Sequence, residues 1–90
     1  MSKPLVSVIV TTKNESKNIS SFCESIKKQT YNPIELIVVD NNSTDNTTEL
    51  AKKFTDKVYT QGPERSAQRN FGAEKSSGDF LMVLDADMIV

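Results

Sequence analysis

The sequence predicts an α/β fold with a parallel sheet of about four strands and helices on both faces. Two observations support this prediction. Four short runs of β-branched and aliphatic residues occur along the chain, and such runs are typical of buried strands. The connections between them span roughly 16–23 residues, which is long enough for a helical crossover between parallel strands. The expected strand order for a doubly wound sheet that begins in this way is 3-2-1-4.

The first half of the chain predicts two strands and one helix. A strand is expected over residues 5–11, and Ser16 is predicted to be the N-cap of the helix that follows. Four apolar residues of this helix recur at the spacing i, i+3, i+4 and i+7, which places them on one face. They are Ile19, Phe22, Cys23 and Ile26. The helix is expected to end before Pro33, and the second strand is predicted over residues 34–39.

The second half predicts two further helices and two strands. Ser43 or Asp45 is expected to cap the second helix. Its apolar face comprises Thr47, Leu50, Ala51 and Phe54. A weaker strand is predicted over residues 57–60. The third helix is expected between a Gly-Pro turn and Gly78, and the last strand over residues 80–84.

Composition limits the classes of partner. A chain of 90 residues is expected to form at most one small domain. Its 11 basic and 12 acidic residues are mixed along the sequence and give a net charge of −1, so no basic stripe supports binding to nucleic acid. No apolar stretch approaches the ~20 residues that span a bilayer, so no membrane segment is expected. The single Cys23 cannot form an internal disulfide, which suits a reducing compartment and an expected cytoplasmic location.

Three aspartates follow directly on predicted buried strands: Asp40 on the second, and Asp85 and Asp87 on the last. The carboxyl ends of parallel strands share one edge of a sheet, where open α/β folds bind ligands, and Thr11 is expected at the same edge. Because the chain has no histidine, the sequence predicts Mg²⁺ or Mn²⁺ held by carboxylate oxygens and bridging to ligand phosphates. The first turn, residues 11–16, has no glycine, which excludes a dinucleotide fingerprint and a P-loop.

The local chemistry leaves two interpretations of Asp40 open. Its carboxylate could accept an N–H from a pyrimidine base. In the alternative interpretation, Asp40-Asn41-Asn42-Ser43 is only a turn that leads into a helix cap. An isolated Asp-x-Asp such as Asp85-Ala86-Asp87 is also weak as a motif, and its position after a buried strand is what gives it weight.

Four segments, residues 6–15, 35–45, 66–73 and 77–87, resemble in the same order the opening of family 2 glycosyltransferases with the GT-A fold. The resemblance covers nearly the whole chain. It implies a Rossmann-like GT-A half-domain that binds a nucleotide-diphospho-sugar, with a UDP-sugar as the expected donor. It also implies dependence on Mn²⁺ or Mg²⁺, and it leaves the acceptor and the sugar unidentified.

The resemblance implies a role for each of five residues. Thr11 lies by the base of the nucleotide, and Asp40 hydrogen-bonds that base. Arg69 lies near the nucleotide, Asp85 lies near the ribose and the metal, and Asp87 is a metal ligand. No catalytic residue is carried over, because the family's catalytic base and acceptor site come from later segments.

The chain departs from the family pattern at two positions near the expected site. Asn41 stands where many members have a second acid, and Lys13 stands where an aromatic residue often stacks near the base. Arg65 is expected to be an exposed helix charge without a role. Cys23 is expected to be a packing residue rather than a nucleophile.

The resemblance also shapes the expected function. Residues 1–90 are expected to be the donor-binding portion of an inverting, metal-dependent glycosyltransferase, apparently truncated after the Asp-x-Asp and inactive alone. The alternative is a non-catalytic α/β binding or assembly module. In either case the uncharged last strand is expected to be an exposed apolar edge through which the chain self-associates. A phosphatase using Asp-x-Asp is disfavoured, because its motif would follow the first strand.

Overall fold

The computed structural model describes residues 4–29 and 33–86, without the side chain of Gln29. Four strands alternate with three helices in chain order. They are β1 (Val6–Thr12), α1 (Ile19–Gln29), β2 (Ile34–Asp40), α2 (Thr47–Ala51), β3 (Val58–Thr60), α3 (Arg65–Lys75) and β4 (Phe80–Asp85). This order confirms the alternation that the sequence predicts. In these described parts of the chain, no helix has the length and apolar character needed to cross a membrane.

The four strands form one parallel sheet in the order β3-β2-β1-β4, which confirms the predicted topology. The central strand β1 pairs with β2 on one side and with β4 on the other. In this register Thr12 lies beside Asp40, and Thr11 lies beside Asp85. The carboxyl ends of three strands therefore meet at one edge of the sheet, as the positions of the aspartates predict.

The first face of the sheet packs against α1 and α2. Val8, Val10 and Val38 point towards this face and are almost completely buried. The predicted face of α1 covers them, since its four apolar residues Ile19, Phe22, Cys23 and Ile26 are all buried. Alternation of side chains along a strand then sends Ile9, Ile37 and Val39 to the opposite face.

That opposite face packs against α3, which approaches the sheet closely. A Cβ atom added at Gly72 would lie 2.5 Å from Cγ2 of Ile9, so only glycine fits without a shift of the strand or the helix. Phe71 packs beside it on the same face and makes an edge-to-face contact with Tyr59 of β3. Helices thus cover both faces of the sheet, as the sequence predicts.

Two details of the helix starts differ from the sequence prediction. Ser16 is not the N-cap of α1: the carbonyl of Glu15 accepts the amides of Asn18 and Ile19, so residues 16–18 form a turn and the helix begins at Ile19. The N-cap position of α2 is Asn46, rather than Ser43 or Asp45, and its side chain makes no capping hydrogen bond. Asp45, one residue earlier, accepts the amide of Thr47. Ser43 is engaged elsewhere, because its side chain donates to Asp40.

A buried acid, Glu35, joins the amino ends of the strands, at the edge of the sheet opposite to the aspartates. Its carboxylate accepts hydrogen bonds from the hydroxyl of Ser7 (2.6 Å), and from the amide (2.8 Å) and hydroxyl (2.9 Å) of Ser77. The ammonium of Lys57 forms an ion pair with the same group. These partners, Lys57 foremost, lower the pKa of Glu35 from 4.5 to about 2. One carboxylate therefore holds β1, β2 and the connections to β3 and β4 together.

We expect Glu35→Gln to lower the free energy of unfolding at pH 7 by about 2 kcal/mol, because an amide loses the ion pair and most of the charge-assisted bonds. The folded pKa lies below the unfolded value, so the charge stabilises fully above about pH 4.5, and this contribution is lost as the pH falls towards 2. Urea unfolding at pH 7 and pH 3 should therefore show a smaller gap between wild type and variant at pH 3. The exposed Glu24→Gln is the control, and an equal gap at both pH values would contradict the prediction.

The strand β4 differs from β1 and β2 in that it lies at the edge of the sheet and is exposed. Phe80 is 60% exposed, Leu81 53%, Met82 50% and Val83 40%. No charged side chain interrupts this run, although charges are a common means by which edge strands avoid pairing with other chains. The described part of the protein thus presents an uncovered apolar strand.

We expect the 90-residue chain to self-associate through β4, because pairing with the β4 of a second copy satisfies edge backbone groups and buries these apolar side chains. Sedimentation velocity over a concentration series should show dimer growth. Leu81→Lys should weaken association at least tenfold, whereas Ala73→Lys, which adds the same charge at an exposed position of α3, should not. A strict monomer, or equal effects of the two lysines, would argue against pairing through β4.

Candidate functional site

A cavity of about 410 Å³ opens at the carboxyl ends of β1, β2 and β4. The lining residues come from the ends of these strands, the two loops that follow β1 and β2, and the start of α3. They are Thr11, Thr12, Lys13, Glu15, Asn41, Pro63, Arg65, Gln68, Asp85 and Ala86. A smaller cavity of about 160 Å³ adjoins it and is lined by Arg65, Arg69, Val83 and Asp85.

The predicted site residues are distributed unevenly around these cavities. Thr11 and Asp85 line the larger one, and Arg69 lines the smaller one. Asp40 is 1% exposed and lines neither. Asp87 lies outside the described residues. The structure therefore brings Thr11, Asp85 and Arg69 to one region, and places Asp40 behind it.

Asp85 is the most strongly engaged acid of the cavity. Its Oδ1 accepts a hydrogen bond from the hydroxyl of Thr11, and its Oδ2 lies 3.3 Å from Nη1 of Arg65. The Asp85 side chain is 25% exposed, so the group is within reach of a ligand. The Arg65 side chain is 60% exposed, yet it has a defined partner. Arg65 is thus an exposed helix charge, as expected, and the fold gives it a partner by bringing the start of α3 beside the end of β4.

Asp40 organises the turn behind the cavity. Its Oδ1 accepts the hydroxyls of Thr12 (2.6 Å) and Ser43 (2.5 Å), and its Oδ2 accepts the amide of Ser43 (2.7 Å). Asn42 within the turn has φ of 48°, a left-handed conformation that asparagine tolerates better than most residues. These contacts are those that the turn interpretation predicts. A hydrogen bond to a base stays a prediction.

The loops after β1 and β2 hold each other in place. The amide of Asn14 donates to Oγ of Ser43 (2.7 Å), and the amide of Thr44 donates to Oδ1 of Asn14 (2.8 Å). The amide of Ser16 donates to Asp45 of the second loop, and the amide of Glu15 donates to Thr47 at the start of α2. Asn14 adopts φ of 52°. Side-chain oxygens and two left-handed asparagines thus order a turn that contains no glycine.

Gln68 is a buried polar residue that the sequence analysis did not single out. It is 4% exposed, and its Nε2 donates to the carbonyls of Thr12 (3.1 Å) and Val39 (2.8 Å). It therefore fastens α3 to the ends of β1 and β2, directly beneath the cavity. The available signal was its position four residues before Gly72, which puts a polar amide on the helix face that approaches the strand ends.

Asn41 was noted only as a departure from the family pattern, and the structure gives it a contact. Its Nδ2 donates to the carbonyl of Pro63 at 2.7 Å. A Cβ added at Gly62 would overlap the Asn41 side chain, so the glycine leaves room for this contact. Asn41 thereby connects the end of β2 to the segment that leads into α3. A carboxylate here would lack the N–H that makes this bond.

The cavity offers oxygen donors suited to a hard cation. The residues that the structure describes contain no group of three or more His, Cys, Asp and Glu side chains placed to hold a metal. Mg²⁺, however, commonly binds proteins through one or two carboxylates while substrate phosphates and water complete its shell. Asp85 supplies one carboxylate on the cavity, and Asp87 follows two residues later in the sequence. This donor set fits Mg²⁺ or Mn²⁺ bound together with a phosphate ligand.

Cys23 takes no part in the cavity. It is fully buried in the core between α1 and the sheet, and burial raises the pKa of its thiol to about 11. A thiol that is buried and protonated is not a nucleophile. The structure therefore agrees with the interpretation of Cys23 as a packing residue.

The fold and the cavity together define an α/β protein with a polar cavity, lined by both acidic and basic side chains, at the point where its strand order reverses. The sequence pattern of the family "Glycosyl transferase family 2" matches residues 7–90. The chain therefore belongs to glycosyltransferase family 2. Its sheet in the order 3-2-1-4 with helices on both faces is a Rossmann-like half of the GT-A fold.

Individual relatives agree with this assignment. Glycosyltransferase AglE of Haloferax volcanii is 38% identical over 93 residues, which cover 93% of this chain and 31% of AglE. The mannosyltransferase PcManGT of Pyrobaculum calidifontis, solved with GDP-Man and Mn²⁺, superposes with a TM-score of 0.80 at 28% identity. That match covers 94% of this chain and 28% of PcManGT.

A third relative is glucosyl-3-phosphoglycerate synthase of Mycobacterium tuberculosis, solved with Mn²⁺, UDP and glucosyl-3-phosphoglycerate. It superposes with a TM-score of 0.77 at 28% identity, over 96% of this chain and 34% of the synthase. The chain thus spans about a third of the length of the relatives that it matches.

We expect Asp40→Asn to lower the free energy of unfolding by about 1–2 kcal/mol, because an amide offers one acceptor oxygen to three donors and carries no charge. Urea unfolding measures this loss. Asp79→Asn is the matched control, since the exposed side chain of Asp79 accepts the amide of Leu5 (2.9 Å) and its substitution should cost less. Equal losses in the two variants would mean that the turn does not depend on the Asp40 carboxylate.

Proposed function

We propose that this chain is the nucleotide-diphospho-sugar-binding portion of a metal-dependent, inverting glycosyltransferase. The observation that carries the proposal is the meeting of Thr11, Arg65 and Asp85 at a 410 Å³ cavity in a family 2 fold. The cavity lies where parallel α/β sheets bind ligands, and its polar groups suit a phosphate-bearing molecule that arrives with a cation. The proposal includes the cytoplasmic location expected from the cysteine content.

In this proposal Asp85, together with Asp87, holds Mn²⁺ or Mg²⁺. When bound, such a cation acts as a Lewis acid that stabilises a diphosphate leaving group. The hydroxyl of Thr11 orients the Asp85 carboxylate by donating to Oδ1, and Oδ2 lies beside Arg65. Supporting groups of this kind fix the direction of a metal-binding carboxylate before the ligand arrives. Metal-containing solved relatives support the assignment.

The nucleotide is proposed to lie across the ends of β1 and β2. Thr11 would lie by the base, Arg69 near the nucleotide, and Asp40 would accept a base N–H. The Asp40 Oδ2 accepts the Ser43 amide, and a carboxylate oxygen has a second lone pair with which to accept another hydrogen bond. Lys13 lines the cavity where relatives often carry an aromatic residue, and it would contact phosphate or base as a cation. A UDP-sugar is the proposed donor.

Transfer itself is proposed to need groups outside residues 1–90. A carboxylate base is expected to deprotonate the acceptor hydroxyl, which then displaces the diphosphate at the anomeric carbon. Asp85 is not proposed for this task, because its carboxylate is assigned to the cation. This chain alone is therefore expected to bind donor without transferring sugar. The acceptor is not identified.

A second candidate function is a non-catalytic binding or assembly module. The observation that favours it is the exposed apolar strand β4, which would serve as a pairing surface. This candidate needs no ligand in the cavity. Nucleotide binding therefore separates the two candidates.

We expect UDP to bind at least tenfold more tightly with Mn²⁺ present than with EDTA, because the described cavity has no glycine-rich cradle and a cation must offset the phosphate charge. Calorimetry of wild type, Asp87→Asn and the exposed control Asp56→Asn measures this. Asp87→Asn should abolish the increment due to metal, and the control should retain it. Binding that is independent of metal would contradict the proposed site, and no binding under either condition would favour the assembly module.

A further inference from the structure

Arg65 lies beside the Asp85 carboxylate, where the proposed function places a metal cation. It is the first residue of α3, and its guanidinium lies 3.3 Å from Oδ2 of Asp85. Oδ1 of the same carboxylate accepts the Thr11 hydroxyl, so both oxygens of Asp85 have a partner in the ligand-free protein. An internal counter-ion thus neutralises the group that the proposed function assigns to an external cation.

A divalent ion cannot approach Oδ2 of Asp85 while the guanidinium remains there. Two cations at one carboxylate oxygen repel each other strongly, since the site is only partly hydrated. Arg65 must therefore leave this oxygen when a metal ion binds. Its side chain is 60% exposed, and a long flexible stem carries the guanidinium. The guanidinium can therefore leave Asp85 without a movement of α3 or β4.

The Arg65 side chain also borders the space in which a ligand would bind. Arg65 lines both the 410 Å³ cavity and the adjoining 160 Å³ cavity, so its guanidinium stays next to the ligand space after leaving Asp85. A guanidinium presents planar N–H donors that match two phosphate oxygens at once. A diphosphate in the cavity would supply such oxygens. Its negative charge would replace that of Asp85 as the partner of the Arg65 guanidinium.

We propose that Arg65 is a positioning residue that exchanges partners: it pairs with Asp85 in the free protein and with the diphosphate when cation and nucleotide bind. This inference rests on the proposed function. Its consequence is coupled binding, because a nucleotide that draws Arg65 away from Asp85 makes the carboxylate available to the cation. By linkage, the cation must then strengthen nucleotide binding by the same factor.

The exchange predicts opposite effects of one substitution on two binding equilibria. Arg65→Gln removes the counter-ion from Asp85, so binding of Mn²⁺ alone should become at least threefold tighter. The same variant lacks the phosphate partner, so binding of UDP in saturating Mn²⁺ should become at least tenfold weaker. A residue that only stabilises the fold would weaken both, or change neither.

The experiment compares wild type, Arg65→Gln, Arg65→Lys and Lys53→Gln. Lys53 is exposed near the end of α2 and lines neither cavity, so its substitution removes the same charge and should change neither equilibrium. Electron paramagnetic resonance of free Mn²⁺ measures metal binding without nucleotide, up to millimolar concentrations. Calorimetry measures UDP binding in Mn²⁺, and circular dichroism confirms that each variant is folded. Arg65→Lys keeps the charge and should leave Mn²⁺ binding near the wild-type value.

Each outcome decides a different claim. Tighter Mn²⁺ binding with weaker UDP binding in Arg65→Gln supports the exchange. Unchanged or weaker Mn²⁺ binding in that variant, with wild type binding UDP in Mn²⁺, overturns the exchange and leaves the proposed function standing. Failure of wild type to bind UDP in Mn²⁺ overturns the proposed function, and with it the exchange.

Discussion

The pairing of β1 between β2 and β4 is the constraint on which the site depends. Because all three strands are parallel, their carboxyl ends face the same way, and the register places Thr12 beside Asp40 and Thr11 beside Asp85. Each of these neighbouring pairs is joined by a hydrogen bond from threonine to carboxylate. Two consecutive residues of β1 therefore orient the acids of both adjacent strands, one behind the cavity and one within it.

Helix α3 is the second structural support of the site. Gly72 allows the helix to lie against Ile9, and at this distance Gln68 can reach the carbonyls at the ends of β1 and β2. The first turn of the same helix then carries Arg65 to Asp85. Close packing of one helix thus sets the position of the guanidinium that pairs with Asp85.

Charge is arranged differently at the two ends of the sheet. At the amino ends, Glu35 is surrounded by Lys57 and by serine donors, and its low pKa reflects a permanent structural charge. At the carboxyl ends, Asp85 is partly exposed and pairs with the exposed Arg65. Two carboxylates on one sheet therefore differ in solvent access: Glu35 is a buried structural charge, and Asp85 is the partly exposed group that the proposed function assigns to ligand binding.

The sequence by itself determined the alternation of elements, because apolar periodicity and crossover lengths depend on local sequence alone. The strand order, and the edge shared by Thr11, Asp40 and Asp85, followed from the usual arrangement of doubly wound sheets. The sequence did not reveal the start of α1, where the amide of Ser16 donates a hydrogen bond to Asp45 of the loop after β2. Only the tertiary structure decided that Arg65 pairs with Asp85 and that Gln68 anchors the strand ends. These contacts join residues that are 20 and 56 positions apart, and no local pattern encodes such distances.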